Sequence, residues 1–260
     1  MAGSTVSLPA LRSFLIDLLQ VESLFEYDAE TIAEALLLGE RLACRDEGLA
    51  CVPRWIQQIR EGGIDPRGQV LVLSQTPSLC LLDGSSAAGP VAAAVARKWI
   101  AEHLEAVGLV TVLVRNSRAL GCARAAVAPL AEAGWLAEVE TSAAPGEAAA
   151  TADRCHVTIA VPTSDGVAYL ADDRAPLWLS LLTNGRRPSE KPAAPNPLQV
   201  EHQFRVAHPD HAMGADALAR RLGQSFDLTP PPLPDTISLT DETAAALATL
   251  GEAASLTTPW

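Results

Sequence analysis

The stretch Ser78–Ser117, SLCLLDGSSAAGPVAAAVARKWIAEHLEAVGLVTVLVRNS, sets the class of the fold. Its apolar run Ser78–Leu82 predicts a short strand that ends at the turn Asp83-Gly84. The alanine-rich segment Pro90–Ala106 predicts a helix. The six residues Leu109–Val114 are typical of a buried strand. A strand, a helix and a second strand in this order predict an α/β protein.

Helical patterns precede this unit, and mixed patterns follow it. Leu8–Leu19 carries apolar residues at helical spacing. Asp28 is a candidate cap for a second helix, and Gly48 is the residue expected to stop it. Val52–Arg60 resumes helical spacing. Further strands are predicted at 69–73, 157–161, 167–170 and 203–207, with helices at 123–133, at 215–226 and from Asp241 onward.

The chain is expected to form one unit, 1–260, with two lobes. Residues 1–75 together with 200–260 predict a helical lobe, and 76–184 predict an α/β core. Four prolines in the segment 185–199 predict a linker rather than a core element.

The composition excludes several classes of function. Of 260 residues, 19 are Lys or Arg and 31 are Asp or Glu, which gives a net charge of −12. A nucleic-acid binder needs a basic face to displace counterions, and an anionic membrane surface attracts basic segments. We therefore expect no nucleic-acid partner and no membrane partner.

The cysteines and the amino-terminal segment bear on the compartment. The chain has five scattered cysteines, an odd number, and 48% hydrophobic residues that supply a core without disulfides. Residues 1–19 lack the basic region that opens a signal peptide. Both observations predict a cytoplasmic protein with reduced thiols.

Five segments of the chain match motifs of one known family, in the same order. The family's HDSHG…LPRY…GGI.P matches Cys44–Pro66, and its LVDG matches Leu81–Gly84. VRNSNHFG corresponds to Val114–Gly121, AAEAGMI to Leu130–Leu136, and GHFFLAIDP more weakly to Glu201–Pro209. Together they resemble the bacterial type-2 malate/L-lactate dehydrogenase family. The resemblance implies that family's α/β fold, shortened in the cofactor-binding region.

Departures from the family pattern affect its chemistry. The family's catalytic histidine falls on Glu47, a second histidine falls on Ala119, and the asparagine before it is replaced by Arg118. The family's LGTNP segment, beside the nicotinamide, falls on Asp153–His156, and its HKGYGL segment has no counterpart before Trp178. Hydride transfer needs a bound nicotinamide and a proton donor. These departures predict that the chain uses no cofactor. No metal is predicted either, because no acidic or cysteine pattern completes a site with His202, His208 and His211.

The departures favour a non-redox enzyme on a dehydrogenase fold. Bacterial Pictet–Spengler cyclases look like distant members of this fold, condense a tryptophan-type amine with an aldehyde, and use a glutamate as acid/base. The interpretation is a cyclase that joins a tryptophan-like amino acid to an aldehyde and forms a tetrahydro-β-carboline, with a partly buried Glu47 as acid/base. The alternative is a solvated loop carboxylate at Glu47.

A set of substrate-binding residues accompanies this interpretation. Arg54 or Arg118 is expected to anchor the amino acid's carboxylate, because a guanidinium binds carboxylates in a bidentate fork. The alternative for Arg54 is a surface ion pair. The polar residues after the strand Leu109–Val114 stand where α/β folds hold ligands. The remaining members of the set are Arg45, Trp55, Asn116, Ser117 and His202. The alternative for Trp55 is a place in the core.

Two other classes of function stay open. One is a catalytically inactive homologue that acts as a partner or regulatory subunit. The other is an atypical NAD(P)-dependent reductase of 2-oxo acids or imines, which binding of NADH or NADPH would favour. Members of the family are dimers, so the resemblance implies a homodimer.

Overall fold

The computed structural model describes residues 5–141, 156–172, 200–212 and 229–260. The strands in these ranges are β1 (Thr5–Ser7), β2 (Leu71–Gln75), β3 (Leu79–Asp83), β4 (Leu109–Arg115), β5 (Leu136–Thr141), β6 (His156–Thr163), β7 (Gly166–Asp172), β8 (Val200–Ala207) and β9 (Thr236–Ser238). The helices are α1 (Leu8–Val21), α2 (Glu26–Arg41), α3 (Val52–Arg60), α4 (Gly89–Val107), α5 (Ala123–Glu132), α6 (Pro209–Ala212) and α7 (Asp241–Ala253). Two 3-10 turns, Arg45–Glu47 and Leu49–Cys51, join α2 to α3.

A seven-stranded mixed sheet forms the centre of the described fold. Its strand order is β2-β3-β4-β8-β5-β6-β7. β3 and β4 are parallel, and the other neighbours in this sheet are antiparallel. α4 connects β3 to β4, so the predicted strand–helix–strand unit is confirmed. α4 ends at Gly108, whose φ of +75° is the left-handed conformation that glycine adopts without strain.

The sheet core lies between the sheet and helices α4 and α5. Val110, Val112 and Val114 alternate along β4 and are fully buried, which places one face of the strand in the core. Phe204 and Val206 of β8 belong to the same core.

A second core joins the amino-terminal helices to the carboxyl-terminal segment. Leu11, Leu15 and Leu18 of α1 repeat at helical spacing and are fully buried. Leu247 of α7 packs in the same core, and β9 pairs with β1 to form a separate two-stranded sheet. This arrangement brings residues more than 200 positions apart into one lobe.

The structure corrects the expected lobe boundaries. β8 was placed in the helical lobe with the rest of 200–260, but its residues lie inside the large sheet between β4 and β5. β2, placed in the same lobe, forms the edge of that sheet. Backbone pairing assigns both strands to the sheet.

Two predicted helix boundaries also differ. α2 begins at Glu26 after Phe25 as its cap, so Asp28 lies in the first turn, where a carboxylate favours the helix dipole. α2 ends at Arg41 rather than near Gly48, because Ala43 turns the backbone with a φ of +58°. β1, β5 and β9 were not predicted. The linker 185–199 and the helix 215–226 lie outside the described residues.

The length and apolar character of the helices bear on whether the described chain could cross a membrane. In the ranges that the structure covers, none of the helices combines the length and the apolar character that a bilayer crossing requires.

Candidate functional site

Polar side chains from three strands lie together at the edge of the large sheet that is formed by the ends of its strands. Asp83 ends β3 beside Arg115, which ends β4. β8 runs antiparallel to β4, so its first residues lie at the same edge, with His202 opposite Val114. Ligand sites of α/β sheets lie outside the carboxyl ends of parallel strands. We call this place the strand-end site.

Asp83 organises the entrance to this site. Its Oδ1 accepts hydrogen bonds from the backbone amide of Ser85 at 2.9 Å and from Nδ2 of Asn116 at 3.0 Å. Its Oδ2 accepts from Nε of Arg115 at 3.2 Å. Burial alone would raise the pKa of Asp83, but these bonds and the charge of Arg115 together lower it. Asp83 is thus an ionised group that fixes the turns after β3 and β4.

Arg118 is the second cation of the strand-end site, after Arg115. Its Nη2 donates to Oγ of Ser86 at 3.2 Å, and its backbone amide donates to the carbonyl of Ala87 at 3.1 Å. Among the described residues, its Nε is buried and meets no hydrogen-bond partner. A buried donor without a partner is costly, because water no longer solvates it. This N–H is therefore a candidate donor for an acceptor that the described residues do not supply.

His202 lies against the backbone of Arg118. The imidazole is 3% exposed, and its Nε2 lies 3.0 Å from the carbonyl oxygen of Arg118. A carbonyl only accepts, so Nε2 carries the proton and Nδ1 keeps a lone pair. Burial lowers the pKa of His202 to about 4, which makes the ring neutral at pH 7. Nδ1 is buried and makes no hydrogen bond of normal geometry in the described part of the chain, although the backbone of Glu201 lies near the ring.

Glu201 balances part of the charge at this site. The carboxylate accepts hydrogen bonds from the backbone amides of Ser117 and Asn116 and interacts with the charge of Arg118. Burial nevertheless raises the pKa of Glu201. The side chain of Ser117 is 1% exposed and donates to the Arg118 carbonyl at 3.4 Å, so it supports the loop from inside.

Close packing holds the loop 116–122 against α4. A Cβ on Gly89 would lie 2.5 Å from the carbonyl oxygen of Ala119 and from Cα of Leu120. The backbone amide of Gly89 also donates to that carbonyl at 3.2 Å. Only a residue without a side chain lets the start of α4 approach the loop this closely.

A second group of reactive side chains lies at the far end of the same loop. The ligand-type atoms of Cys44, Glu47 and Cys122 lie within 4.8 Å of one another. A hydrogen bond from Cys122 lowers the pKa of the Cys44 thiol, and the same bond together with burial raises the pKa of Cys122. Cys122 is 4% exposed, Cys44 is half-buried, and Glu47 is exposed. We call these three residues the thiol–carboxylate cluster.

The predicted site residues lie at the strand-end site, on the surface or in the helical core. The strand-end site brings together Asn116, Ser117, Arg118 and His202. Glu47 was expected to be partly buried but is exposed, because the 3-10 turn Arg45–Glu47 projects from the surface.

Arg45, Arg54 and Trp55 lie near Glu47 in the chain but differ in exposure. Arg45 and Arg54 are exposed. Trp55 is 1% exposed and belongs to the helical core, although its ring lies 3.4 Å from where a Cβ of Gly121 would be. Trp55 therefore supports the loop from below instead of forming a binding surface.

Four residues of these sites escaped the sequence interpretation. Asp83 was taken as part of a plain turn, and its position at the end of a predicted strand was the available signal. Glu201, Cys44 and Cys122 gave no local signal, because their partners lie on distant segments of the chain.

The fold and the strand-end site define an α/β protein with an anion-binding candidate at the carboxyl edge of parallel strands. A family profile described as malate/L-lactate dehydrogenase matches residues 6–172. This range is more than half of the 260 residues, so the chain belongs to the malate/L-lactate dehydrogenase family.

Two curated relatives match part of the chain. The malate dehydrogenase of Pyrococcus abyssi is 29% identical over 135 residues, which are 52% of this chain and 37% of that protein. The L-sulfolactate dehydrogenase of Methanocaldococcus jannaschii is 23% identical over 112 residues, 43% of this chain and 33% of that protein. The matching stretch therefore spans 37% and 33% of the lengths of these relatives.

Solved structures confirm the fold. A malate dehydrogenase from Pyrococcus horikoshii superposes with a TM-score of 0.75 at 16% identity, covering 98% of this chain and 97% of that one. A Δ1-piperideine-2-carboxylate reductase from Pseudomonas syringae gives 0.70 at 16% identity, covering 95% and 99%. The predicted α/β fold of the dehydrogenase type is confirmed.

The interpretation as a non-redox cyclase is wrong. The family and the relatives just described are dehydrogenases, which are redox enzymes. The cyclase argument rested on two replaced histidines and on the altered cofactor-binding segments, and such departures do not by themselves indicate a bond-forming reaction. The amino acid and the aldehyde, which were predicted as substrates of the cyclase, are withdrawn together with it.

Proposed function

We propose that the protein is an oxidoreductase that interconverts small 2-hydroxy and 2-oxo carboxylates. The observation that carries this proposal is the buried, unpaired Nε–H of Arg118 in the described structure, at the strand-end site of a chain in a dehydrogenase family. The relatives are named for malate and sulfolactate, which are both 2-hydroxy carboxylates.

Arg118 is the proposed anchor for the substrate carboxylate. The bond from Nη2 to Ser86 fixes the plane of the guanidinium, so Nε–H has a defined direction. A charged donor held in this way binds a carboxylate more strongly than a neutral one does. Glu201 moderates the positive charge, which favours a small anion that can also bond to the neighbouring polar groups.

His202 is the proposed partner of the substrate's oxygen at carbon 2. Its ring is neutral at pH 7 with the lone pair on Nδ1, so it accepts a hydrogen bond from a hydroxyl group. With a pKa near 4 it is a weak base, and its role is to orient the hydroxyl rather than to hold the proton.

Glu47 is the proposed group that exchanges the proton with solvent. It occupies the position of the family's catalytic histidine, and its exposure gives a direct route to water. Its backbone carbonyl lies 3.6 Å from where a Cβ of Gly121 would be, so the turn of Glu47 borders the loop 116–122, and its carboxylate lies with Cys44 and Cys122 at the end of that loop. Dehydrogenation of a 2-hydroxy acid also releases one proton, so we propose Glu47 as the acid/base of this reaction as well.

The nicotinamide dinucleotide that the family implies needs a phosphate cradle. Unpaired backbone amides at a helix start are the usual one, and the turn 84–89 before α4 is the candidate in the described chain. The amides of Gly84, Ser86, Ala87 and Gly89 donate to backbone carbonyls, and that of Ser85 donates to Asp83. This turn does not fit a pyrophosphate, so no step is derived through the cofactor. The segment matched to LGTNP, 153–156, lies almost wholly outside the described residues.

The test is a turnover screen with one targeted variant. The full chain is incubated with a panel of 2-hydroxy acids and NAD⁺ or NADP⁺, and with 2-oxo acids and the reduced forms, while nicotinamide absorbance is followed. Arg118→Gln is expected to raise KM about 10- to 100-fold, the loss of one charge-assisted hydrogen bond. Arg67→Gln, which removes an exposed guanidinium over the Phe25 ring, is the matched control.

Two outcomes would contradict the proposal. Equal KM values for Arg118→Gln and the unchanged protein would remove Arg118 from the site. No turnover across the panel, together with no thermal stabilisation by NADH, NADPH or any substrate, would favour an inactive partner subunit instead.

We also propose a homodimer built on the edge of the large sheet. The five residues of β2 are all exposed in the described structure, and Leu71, Val72 and Leu73 are 52%, 50% and 44% exposed. Leu79 of β3 adds a further apolar side chain at 42% exposure. An apolar edge strand is a surface that a second chain covers. A sedimentation mass of one 27.3 kDa chain at micromolar concentration would contradict this proposal.

A reducing compartment, the cytoplasm, fits the thiols. Cys44, Cys51, Cys80 and Cys122, the cysteines in the described ranges, are free. Alkylation of intact cells followed by mass spectrometry tests this proposal, and blocked, disulfide-bonded cysteines would contradict it.

A further inference from the structure

The thiol–carboxylate cluster has the composition of a metal site. Cys44, Glu47 and Cys122 each offer one potential ligand atom, and these atoms lie within 4.8 Å of one another. We propose that the cluster binds one Zn²⁺ ion, or a similar thiophilic divalent cation, through two thiolates and one carboxylate.

The backbone places two of the ligands by local geometry. Cys44 and Glu47 have the x₂ spacing of many zinc-binding turns. The amide of Glu47 donates to the carbonyl of Cys44 at 2.9 Å, which closes a tight turn with both side chains on one side. The amide of Cys44 donates to the carbonyl of Gly39 at 2.9 Å and ties this turn to the end of α2.

The third ligand arrives by a close helix approach. Cys122 immediately precedes α5, and its Cβ lies 2.9 Å from where a Cβ of Gly39 would be. Any side chain at position 39 would push Cys122 away. Gly39 therefore lets a thiol from residue 122 meet a turn that lies about 78 positions earlier in the chain.

The distances suit a tetrahedral ion after a small contraction. Zinc–sulfur bonds of about 2.3 Å and zinc–oxygen bonds of about 2.1 Å put neighbouring ligand atoms roughly 3.6–3.8 Å apart. The observed limit of 4.8 Å requires shifts of about 1 Å or less, and Glu47 is exposed and can move. Three protein ligands leave the fourth position for water or a small anion, as in catalytic zinc sites.

The donor atoms select the type of cation. Thiolates favour zinc and other thiophilic ions, whereas Mg²⁺ and Ca²⁺ prefer oxygen ligands alone. One cation of the protein, Arg124, lies near the cluster: it donates to the carbonyl of Leu42 at 3.4 Å, lies over the ring of Tyr169, and its charge favours the thiolate of Cys44. A bound dication would neutralise the charges that converge at the cluster.

A reversible disulfide between Cys44 and Cys122 is the competing explanation. It uses the two thiols, whereas a metal ion uses all three ligand-type atoms that lie within 4.8 Å of one another. We therefore propose the metal site. The disulfide is an outcome that the experiment detects.

The metal site does not depend on the oxidoreductase proposal. Its readout is metal uptake, which is measured without any substrate. The two proposals meet at one point: an ion on Glu47 would occupy the carboxylate proposed to exchange the proton. Zinc is therefore expected to suppress turnover, while Arg118→Gln is expected to leave zinc uptake unchanged.

The experiment titrates the full chain with zinc. Reduced, metal-free protein receives Zn²⁺ in the presence of a chelating dye, and one equivalent is expected to bind. Outer-sphere substitutions cost 10- to 100-fold in affinity, so Cys44→Ser and Cys122→Ser, which remove ligands, are expected to cost more than about 100-fold. Glu47→Gln is expected to weaken binding less, because an amide oxygen can still coordinate the ion, although more weakly than a carboxylate does.

Matched controls lie in the same segment. Asp46→Asn removes the exposed carboxylate next to Glu47 and is expected to bind zinc normally. Cys51→Ser is the thiol control, because its hydroxyl can replace the Cys51 bond to the carbonyl of Gly48. Each variant is checked for cooperative unfolding before titration.

Measurements on the unchanged protein guard against variants that fail to fold. Co²⁺ in place of Zn²⁺ is expected to give the near-ultraviolet charge-transfer absorption of a thiolate-bound ion. Zinc is also expected to slow alkylation of Cys44. The proposal would be overturned if the reduced protein took up no zinc, or if both cysteine variants left the uptake unchanged. No uptake together with a Cys44–Cys122 disulfide that forms in air would assign the two thiols to a disulfide instead.

Discussion

The buried imidazole of His202 makes the stability of the protein depend on pH in a defined direction. Its folded pKa is about 4, below the ordinary value of 6.5, because burial disfavours the charged ring. As the pH falls below 6.5, the unfolded chain binds a proton that the folded chain does not bind. Stability from His202 is therefore fully present above about pH 7 and is lost as the pH falls toward 4.

The size of the effect follows from the two pKa values. The difference of about 2.5 units corresponds to roughly 3 kcal/mol when both states are protonated. At about pH 5 the linkage relation gives a loss of about 2 kcal/mol relative to about pH 7.5. Glu40, Asp28 and Glu201, whose pKa values burial raises, act in the opposite direction.

The assay compares the protein with a variant that cannot titrate at this position. His202→Gln keeps an N–H donor for the carbonyl of Arg118 and removes the ionisable ring. Urea unfolding is followed by tryptophan fluorescence at about pH 7.5 and about pH 5 for both proteins. The unchanged protein is expected to lose about 2 kcal/mol more than the variant. The contributions of Glu40 and Asp28 cancel in this difference.

A control and a refuting result complete the experiment. His103→Gln removes an imidazole that stacks on Trp99, with the ring centroids 4.0 Å apart, and measures the effect of losing a different histidine. Equal losses for the unchanged protein and His202→Gln would mean that the ring is hydrated. The neutral, hydrogen-bond-accepting His202 of the strand-end site would then be abandoned.

Two further predictions concern the framework of the site. Gly89→Ala would place a methyl group 2.5 Å from the carbonyl oxygen of Ala119, so we expect a loss of about 1–3 kcal/mol in urea unfolding; unchanged stability would show that the loop yields freely. Arg205→Met removes the guanidinium that contacts the fully buried carboxylate of Glu138, so we expect a loss of about 3–5 kcal/mol at neutral pH. Unchanged stability would mean that the carboxylate of Glu138 does not depend on Arg205.

Local patterns in the sequence predicted the centre of the fold well. The segments around β3, α4 and β4 agree with the prediction within one or two residues, because each has one strong periodicity and a clear stop signal. The polar residues after β4 were also marked in advance, since strand ends in α/β proteins gather ligand groups. These features depend on neighbours in the chain, so the sequence alone contains them.

The features that escaped prediction depend on distant partners. β5, LAEVET, has two glutamates that argue against a buried strand, yet Glu138 is fully buried because Arg205 of β8 pairs with it. β1 is only three residues long and exists because β9, more than 200 positions away, pairs with it. The thiol–carboxylate cluster likewise needs α5 to approach Gly39.

The loop 116–122 links two sites that can fail independently. Arg118 and His202 near its start are held by β8 and the turn after β3, whereas Cys122 at its end is held by Gly39 and the turn after α2. Loss of carboxylate binding in Arg118→Gln with zinc uptake intact would therefore show a working anion site beside a separate metal site. Loss of both in that variant would instead show that the whole loop moves as one element, and the division into two sites would no longer hold.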